Sequence, residues 1–339
     1  MKLLKVGCIS ALPCALALNT HAADIQISGA IEVEAGFSSD FNDVDSSDIA
    51  LATVELGLDA EINDRVSGHL LLLHEDDDTE PMEVDEGIIT IDLTNGWSLS
   101  AGRMYVPFGS YETNLVSDPL TLELGETREA AVLVSYEADG FYGSAYAFNG
   151  DTIEAATPAS EDTIEHFGAS FGYVWENGDM SLDVSIDYIS SLGDSDGISG
   201  SLPDTDADEL PDPLVSYVGG TAFHANYTQG ALSVIFEYVS SDDFDATELA
   251  FNGQGASLSA FNIEAGYAYD WGTAAIGYQT TDEAVAMGLP ETRILLAVSK
   301  EIFSATSLSF EYAMDDDYDT PDGTGNDGST TTIQLAVEF

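Results

Sequence analysis

From residue 25 to the last residue, apolar and polar side chains alternate with a period of two, segment after segment. No other feature of the sequence constrains the fold as strongly. Successive side chains of a β-strand point to opposite faces, so each such segment has one apolar face to bury and one polar face to keep wet. In 25–37, Ile25, Ile27, Ile31, Val33, Ala35 and Phe37 share one face, while Gln26, Ser28, Glu32 and Glu34 share the other. Met180, Leu182, Val184, Ile186 and Tyr188 alternate with Ser181, Asp183, Ser185 and Asp187. Leu308, Phe310, Tyr312 and Met314 alternate with Ser307, Ser309 and Glu311, and Thr331, Ile333, Leu335, Val337 and Phe339 form the last apolar face.

The connections alternate as well. Short turns fall at 63–65, 94–96, 139–140, 176–179, 228–230, 270–272 and 301–304, and three of them carry the Asn-Gly or Asp-Gly signals of tight hairpins. Long loops fall near 39–48, 76–81, 107–127, 150–163, 191–213, 241–257, 282–291 and 315–329. Seven turns and eight loops join about sixteen strands. A soluble β-sandwich also alternates, but its strands run to ~5–6 residues, against roughly ten here. Short turns on one side and long loops on the other are the pattern of an outer-membrane barrel. Trp97, Trp175, Tyr188, Tyr269 and Trp271 lie near strand ends, where aromatic girdles meet the membrane interfaces. The expected fold is therefore all-β: a transmembrane antiparallel up-and-down β-barrel of about sixteen strands over 23–339, in the outer membrane of a Gram-negative bacterium.

Residues 1–22 read as a signal peptide. Lys2 and Lys5 precede the apolar stretch 6–18, and Thr20-His21-Ala22 fits a cleavage site. Both cysteines, Cys8 and Cys14, lie in that segment, so the barrel is expected to hold neither disulfides nor thiolate metal sites.

Charge narrows the function. The chain has 62 Asp and Glu against 7 Lys and Arg, a formal net charge of −55. Nucleic acid is excluded as a partner, because no basic footprint exists. More than half of the acids fall in the long loops, which hold no Lys or Arg on these boundaries. Others sit on the polar strand face, including Glu32, Glu34, Glu55, Asp59, Asp183, Asp187, Glu237, Glu264 and Glu311. In a barrel that face is the lumen, so mouth and bore are expected to be negative and to favour cations. Two other readings of the acidity stay open. It serves solvation in a saline habitat, where salt screens self-repulsion. Or the loops bridge through divalent cations to anionic lipopolysaccharide, with Asp76-Asp77-Asp78 and Asp315-Asp316-Asp317 as weak sites. Neither run has the spacing of a calcium loop, so no specific metal is assigned.

The third long loop differs from the others. It carries Val106, Phe108, Leu115, Val116, Leu120, Leu122 and Leu124, with Pro107 and Pro119 as fixed corners. A partly apolar loop must pack on something. Its position predicts that it folds into the pore and narrows it; the alternative is packing on the rim or on a neighbouring subunit. The candidate constriction residues are Arg103, Pro107, Phe108, Gly109, Glu112, Asp118, Pro119, Glu123, Glu126 and Arg128. A rare arginine there would set a transverse field against Glu112, Asp118, Glu123 or Glu126; the other reading of Arg103 and Arg128 is a salt bridge pinning the loop. Arg103 shares parity with Trp97, Leu99 and Ala101, so either a bulge intervenes or it lies beyond the membrane edge.

Gly102-Arg103, Val106-Pro107-Phe108-Gly109, Ser117-Asp118-Pro119-Leu120-Thr121, Glu123-Leu124-Gly125-Glu126-Thr127 and Phe148-Asn149-Gly150 together resemble the LbtU-type siderophore porins. The resemblance spans roughly 97–150. It implies a short barrel that takes up iron–siderophore complexes, and it supplies no residue-level ligand contacts. A negative lumen suits neutral or cationic complexes better than an anionic ferric siderophore. A cation-preferring general porin and a structural or adhesive barrel are the alternatives. The histidines, His21, His69, His74, His166 and His224, are scattered, and no G-x-S-x-G or H-E-x-x-H element occurs, so the chain is expected not to be an enzyme and to carry no cofactor. The expected partners are a ferric siderophore or other small solute, outer-membrane lipid and lipopolysaccharide, and further copies of the chain.

Overall fold

The computed structural model describes residues 24–75, 81–155, 163–205 and 211–339. The expected signal peptide and the Asp76-Asp77-Asp78 run lie outside them. Sixteen strands form the barrel. The first half comprises β1 (Asp24–Ser39), β2 (Asp45–Asn63), β3 (Val66–Glu75), β4 (Glu83–Asp92), β5 (Trp97–Tyr105), β6 (Arg128–Ala138), β7 (Phe141–Phe148) and β8 (His166–Asn177). The second half comprises β9 (Met180–Ile189), β10 (Gly220–Gln229), β11 (Leu232–Asp243), β12 (Ser257–Tyr269), β13 (Gly272–Asp282), β14 (Thr292–Phe303), β15 (Thr306–Asp316) and β16 (Asp327–Glu338). Each pairs antiparallel with its sequence neighbours, and β16 returns to β1, from Ala30 opposite Glu338 to Ser39 opposite Ser329. Closure leaves no open edge, the condition for a sheet to cross a bilayer.

The hairpin signals act where expected. Asn95 and Gly96 take φ of 61° and 81°, Asp139 and Gly140 take 54° and 83°. Such turns match the right-handed twist of the flanking strands. A Cβ on Gly96 would stand 2.2 Å from the Glu137 carbonyl oxygen, so the turn requires glycine there.

Register assigns the two faces. Ile27, Ile89, Ile186, Ile276, Leu296 and Ile333 point outward and form an uncovered apolar belt, the surface a bilayer covers. Tyr269 and Trp271 stack at 5.4 Å at its turn-side edge. The alternate residues point inward.

The long loops do not all extend away from the barrel. Phe108 and Leu124 of the third loop, L3 (106–127), pack with Leu192, Ile198, Leu214 and Val218 of the fifth, L5 (190–219). Phe244 and Leu249 of the next loop join them, as do Phe148, Ile189, Val239 and Leu258 from the strands. The barrel therefore holds an apolar core inside its loop-side half, against the wall from β5 to β12. L5 holds seven acids, yet its spaced leucines and isoleucine bury beside L3 because they share that interior.

Ile276 lies mid-strand on the belt and is 51% exposed. Replacing it with Arg is expected to cost about 2–4 kcal/mol of stability in vesicles. Urea titration of vesicle-folded protein measures this, and an unchanged midpoint would show that this face does not meet lipid.

Candidate pore constriction

L3 leaves β5 and runs around the inner wall, and at each step its donors meet a carboxylate that projects inward from a strand. Gly109 N–H donates to Asp187 Oδ2 of β9 at 3.2 Å. Ser110 N–H donates to Glu237 Oε1 of β11 at 2.6 Å, and Tyr111 N–H donates to the same oxygen at 3.2 Å. Asn114 N–H and the Thr113 hydroxyl reach Glu264 of β12 at 2.7 and 2.9 Å. Val116 N–H donates to Glu311 Oε2 of β15 at 2.7 Å, and Ser117 reaches Glu311 through both N–H and hydroxyl.

The loop then reverses at Asp118-Pro119 and returns as the short helix α1 (Leu120–Gly125). Leu120 N–H donates to Gln279 Oε1 of β13 at 3.2 Å, and the Thr121 hydroxyl donates to the second Glu237 oxygen at 2.6 Å. An ionised carboxylate only accepts, so it suits a strand-less backbone whose N–H groups lack partners. Glu237, Glu264 and Glu311 are each 1% exposed. No Lys or Arg forms an ion pair with them among the described residues.

The Val-Pro-Phe-Gly run earns its residues locally. Gly109 has a φ of +79°, and a Cβ on it would lie 2.4 Å from the Tyr111 ring. A Cβ on Gly125 would lie 2.1 Å from the Tyr111 hydroxyl. The two glycines thus clamp that ring beside buried Phe108. Above α1 sits the second short helix, α2 (Asp196–Ser199) of L5. Asp196 N–H donates to the Glu126 carbonyl at 2.9 Å. Gly197 approaches the Glu123 carbonyl so closely that a Cβ would lie 2.1 Å from it.

The expected site residues divide. Pro107, Phe108, Gly109, Pro119, Glu123 and Glu126 belong to the packed loop. Asp118, at the reversal, and Glu112 are exposed within the barrel. The two arginines sit together at the loop-side ends of β5 and β6, away from Asp118. Arg128 pairs with Glu83 at 3.0 Å and also with Asp85, and Asp85 accepts from the Tyr105 hydroxyl. Arg103 keeps the outward parity of Trp97, is exposed, and among the described residues reaches the Val84 carbonyl at 3.5 Å; β4 shifts register beside it. The Asp315-Asp316-Asp317 run is split: Arg293 takes Asp315 at 2.8 and 3.1 Å, and Thr324 takes Asp317 at 2.6 and 2.7 Å. Among the described residues no cluster of His, Cys, Asp or Glu has the arrangement of a metal site.

Four acids assigned to the lumen by parity, Asp187, Glu237, Glu264 and Glu311, do project inward, but L3 covers them. Glu32, Glu34 and Glu55 remain open, together with Glu75, Asp118 and Glu338. They line a cavity of about 570 Å³ between L3 and the inner faces of β1, β2, β3 and β16. Gln334 bridges Glu32 and Glu34 at 3.2 and 2.9 Å. Confinement in the barrel lifts the Asp118 carboxyl above its ordinary range, with repulsion from Glu34 and Glu311 adding to it. Burial pushes Glu126 up to about 8, and Asp196, Asp118, Glu75 and Asp85 add to the shift.

No protein-family profile matches the chain. It is similar to a UPF0422 protein of Legionella pneumophila (strain Lens), 25% identical over 93% of this chain and 66% of that protein. The chain thus spans just under two thirds of the length of that relative. Among solved structures, it matches an anion-selective porin from Comamonas acidovorans with a TM-score of 0.66 at 12% identity, over 94% of this chain and all of that one. The outer-membrane channel DcaP of Acinetobacter baumannii matches with a TM-score of 0.64 at 16% identity, over 94% and 97% of the two chains. The chain has the fold of the outer-membrane porins of Gram-negative bacteria.

Glu237→Ala together with Glu264→Ala leaves five L3 donors without their acceptors. Chymotrypsin is expected to cut the variant near Phe108 and Tyr111 while strand content by circular dichroism stays unchanged. Equal protease resistance would show that these carboxylates do not hold the loop.

Proposed function

We propose that this protein is an outer-membrane diffusion porin that prefers cations, with L3 as the constriction. The observation that carries this reading is the passage left beside L3, which has carboxylates on both sides. Asp118 stands on the loop, and Glu32, Glu34, Glu55, Glu75 and Glu338 stand on the facing wall. Arg128 and Arg293, the arginines nearest the interior, are already paired with Glu83, Asp85 and Asp315. A narrow path through a low-dielectric wall focuses this field on the passing ion. The Comamonas porin, named anion-selective, is similar in fold alone. Delivery to the outer membrane rests on 1–22 acting as the signal.

Iron–siderophore complexes are the second reading for the cargo. The observation in its favour is that the motif residues of the siderophore-porin resemblance are the ones that shape L3. Gly109 and Gly125 clamp Tyr111, and Ser117-Asp118-Pro119 makes the reversal. On this reading the acid-lined passage selects neutral or cationic complexes.

Planar-bilayer recording of purified protein tests both. Under a salt gradient the reversal potential is expected to show cation preference, and Glu34→Gln with Asp118→Asn is expected to reduce it severalfold. Deleting 110–125 is expected to raise conductance. Absence of conductance would overturn the porin reading, and anion preference would overturn the cation preference. Saturable block by a ferric siderophore, and not by its iron-free form, would select the second cargo.

The pH dependence has a definite sign. With a carboxyl pushed up to about 8, Glu126 is neutral below that pH and charged above it. Cation preference is therefore expected to rise as pH climbs through about 8, and Glu126→Gln is expected to flatten that step. A step that survives the substitution would assign it to another group.

A further inference from the structure

L3 divides the lumen into two chemically different parts. The first is the acidic passage. The second, about 700 Å³, lies under Pro107 and Gly109 of L3, against the inner faces of β5 to β10. Among the described residues, the acids that line it are Asp92 and Glu137, both at the turn-side rim, and no Lys or Arg lines it. The register sets a band of hydroxyls across this wall. Ser98 of β5 and Ser135 of β6 bond each other at 2.9 Å. Ser135 stands opposite Ser144 of β7, and Ser144 opposite Ser170 of β8. The buried Ser144 hydroxyl has no protein partner among the described residues.

One end of the band is more elaborate. The Tyr142 hydroxyl donates to Asp183 at 2.7 Å and lies 3.4 Å from His224 Nε2. His224 Nδ1 meets the Ser185 hydroxyl at 2.8 Å. Gly172 faces Tyr142 across the strand pair, and a Cβ there would fall 2.0 Å from the ring. The missing side chain lets the tyrosine lie flat against the wall, as a platform bordering the cavity.

We propose that this hydroxyl-lined compartment is a binding site for a neutral, polyhydroxylated solute of mono- to disaccharide size. Hydroxyls both donate and accept, as those of such a solute do. An anionic ligand would find no Lys or Arg, the lining acids that a cation would seek stand at the rim, and a purely apolar ligand would cover the serine band without pairing it. The volume lies within the range of small-molecule sites. Cations then follow the acidic wall, while the uncharged solute pauses on the opposite one. The inference rests on the porin reading, because the compartment is reached only through the lumen.

The test is ion-current recording with sucrose, compared with a polyethylene glycol of matched hydrodynamic radius. Sucrose is expected to reduce the current saturably and to add excess noise, while the glycol, which lacks the hydroxyl array, reduces it without saturation. Tyr142→Phe and Ser144→Ala are each expected to weaken the sucrose effect about three- to tenfold. Glu34→Gln is expected to change ion selectivity and leave the sucrose effect intact. A conducting wild-type channel on which sucrose acts no differently from the glycol overturns this inference alone. A channel that does not conduct overturns the porin reading instead.

Discussion

The interior of this barrel depends on one interaction: backbone N–H groups of a non-regular loop donating to acceptor-only carboxylates on the wall. A loop inside a barrel has no ladder to join, so its donors must find other acceptors or cost free energy. Asp187, Glu237, Glu264 and Glu311 supply them on four separate strands, at the spacing at which L3 passes each strand. A neutral side chain offers fewer acceptor sites, and an arginine offers none. The acids are therefore not excess charge on this wall. They are the complement of an unpaired backbone, stabilised by dipoles rather than by cations.

With L3 held, the other loops have a surface to pack on. Phe108 and Leu124 present an apolar face within the barrel, and Leu192, Ile198 and Leu214 of L5 cover it. The short helices α1 and α2 meet so closely that Gly197 leaves no room for a Cβ over the Glu123 carbonyl. Packing thus propagates from the wall through L3 to L5 and fills one side of the loop-side half. Water is left to the other side, along β1 to β3 and β16.

Much of this was legible in the sequence, and the boundary has a physical cause. Strand period and turn chemistry are local, so the sixteen strands and seven hairpins could be read from alternation and from pairs such as Asp139-Gly140. The inward course of L3 was expected from its apolar residues and two prolines, and the hydrogen bonds from Gly109 to Thr121 trace that course. The inward packing of L5 was not expected, because Leu192, Ile198 and Leu214 are scattered among seven acids and follow no period. Parity identified which acids point inward, and it carries no information on which of them another segment covers. Glu237 and Glu34 have the same parity and opposite fates. Arg103 and Arg128 were legible as rare cations, but their partners come from β4, through a register shift no periodicity shows.

The route of L3 also explains how one charge imbalance yields a two-sided lumen. The loop spends its donors on the arc from β9 to β15, so the acids of that arc are consumed as acceptors. It reverses before reaching β1, and the residue at the reversal is Asp118, opposite Glu34. The wall it never touches keeps its carboxylates in water, and the wall below its first turn carries serines instead. Net charge of −55 is thus a poor guide to the lining of the passage. That lining follows from which carboxylates the loop leaves uncovered, and this is decided by where its backbone runs out of wall to bond.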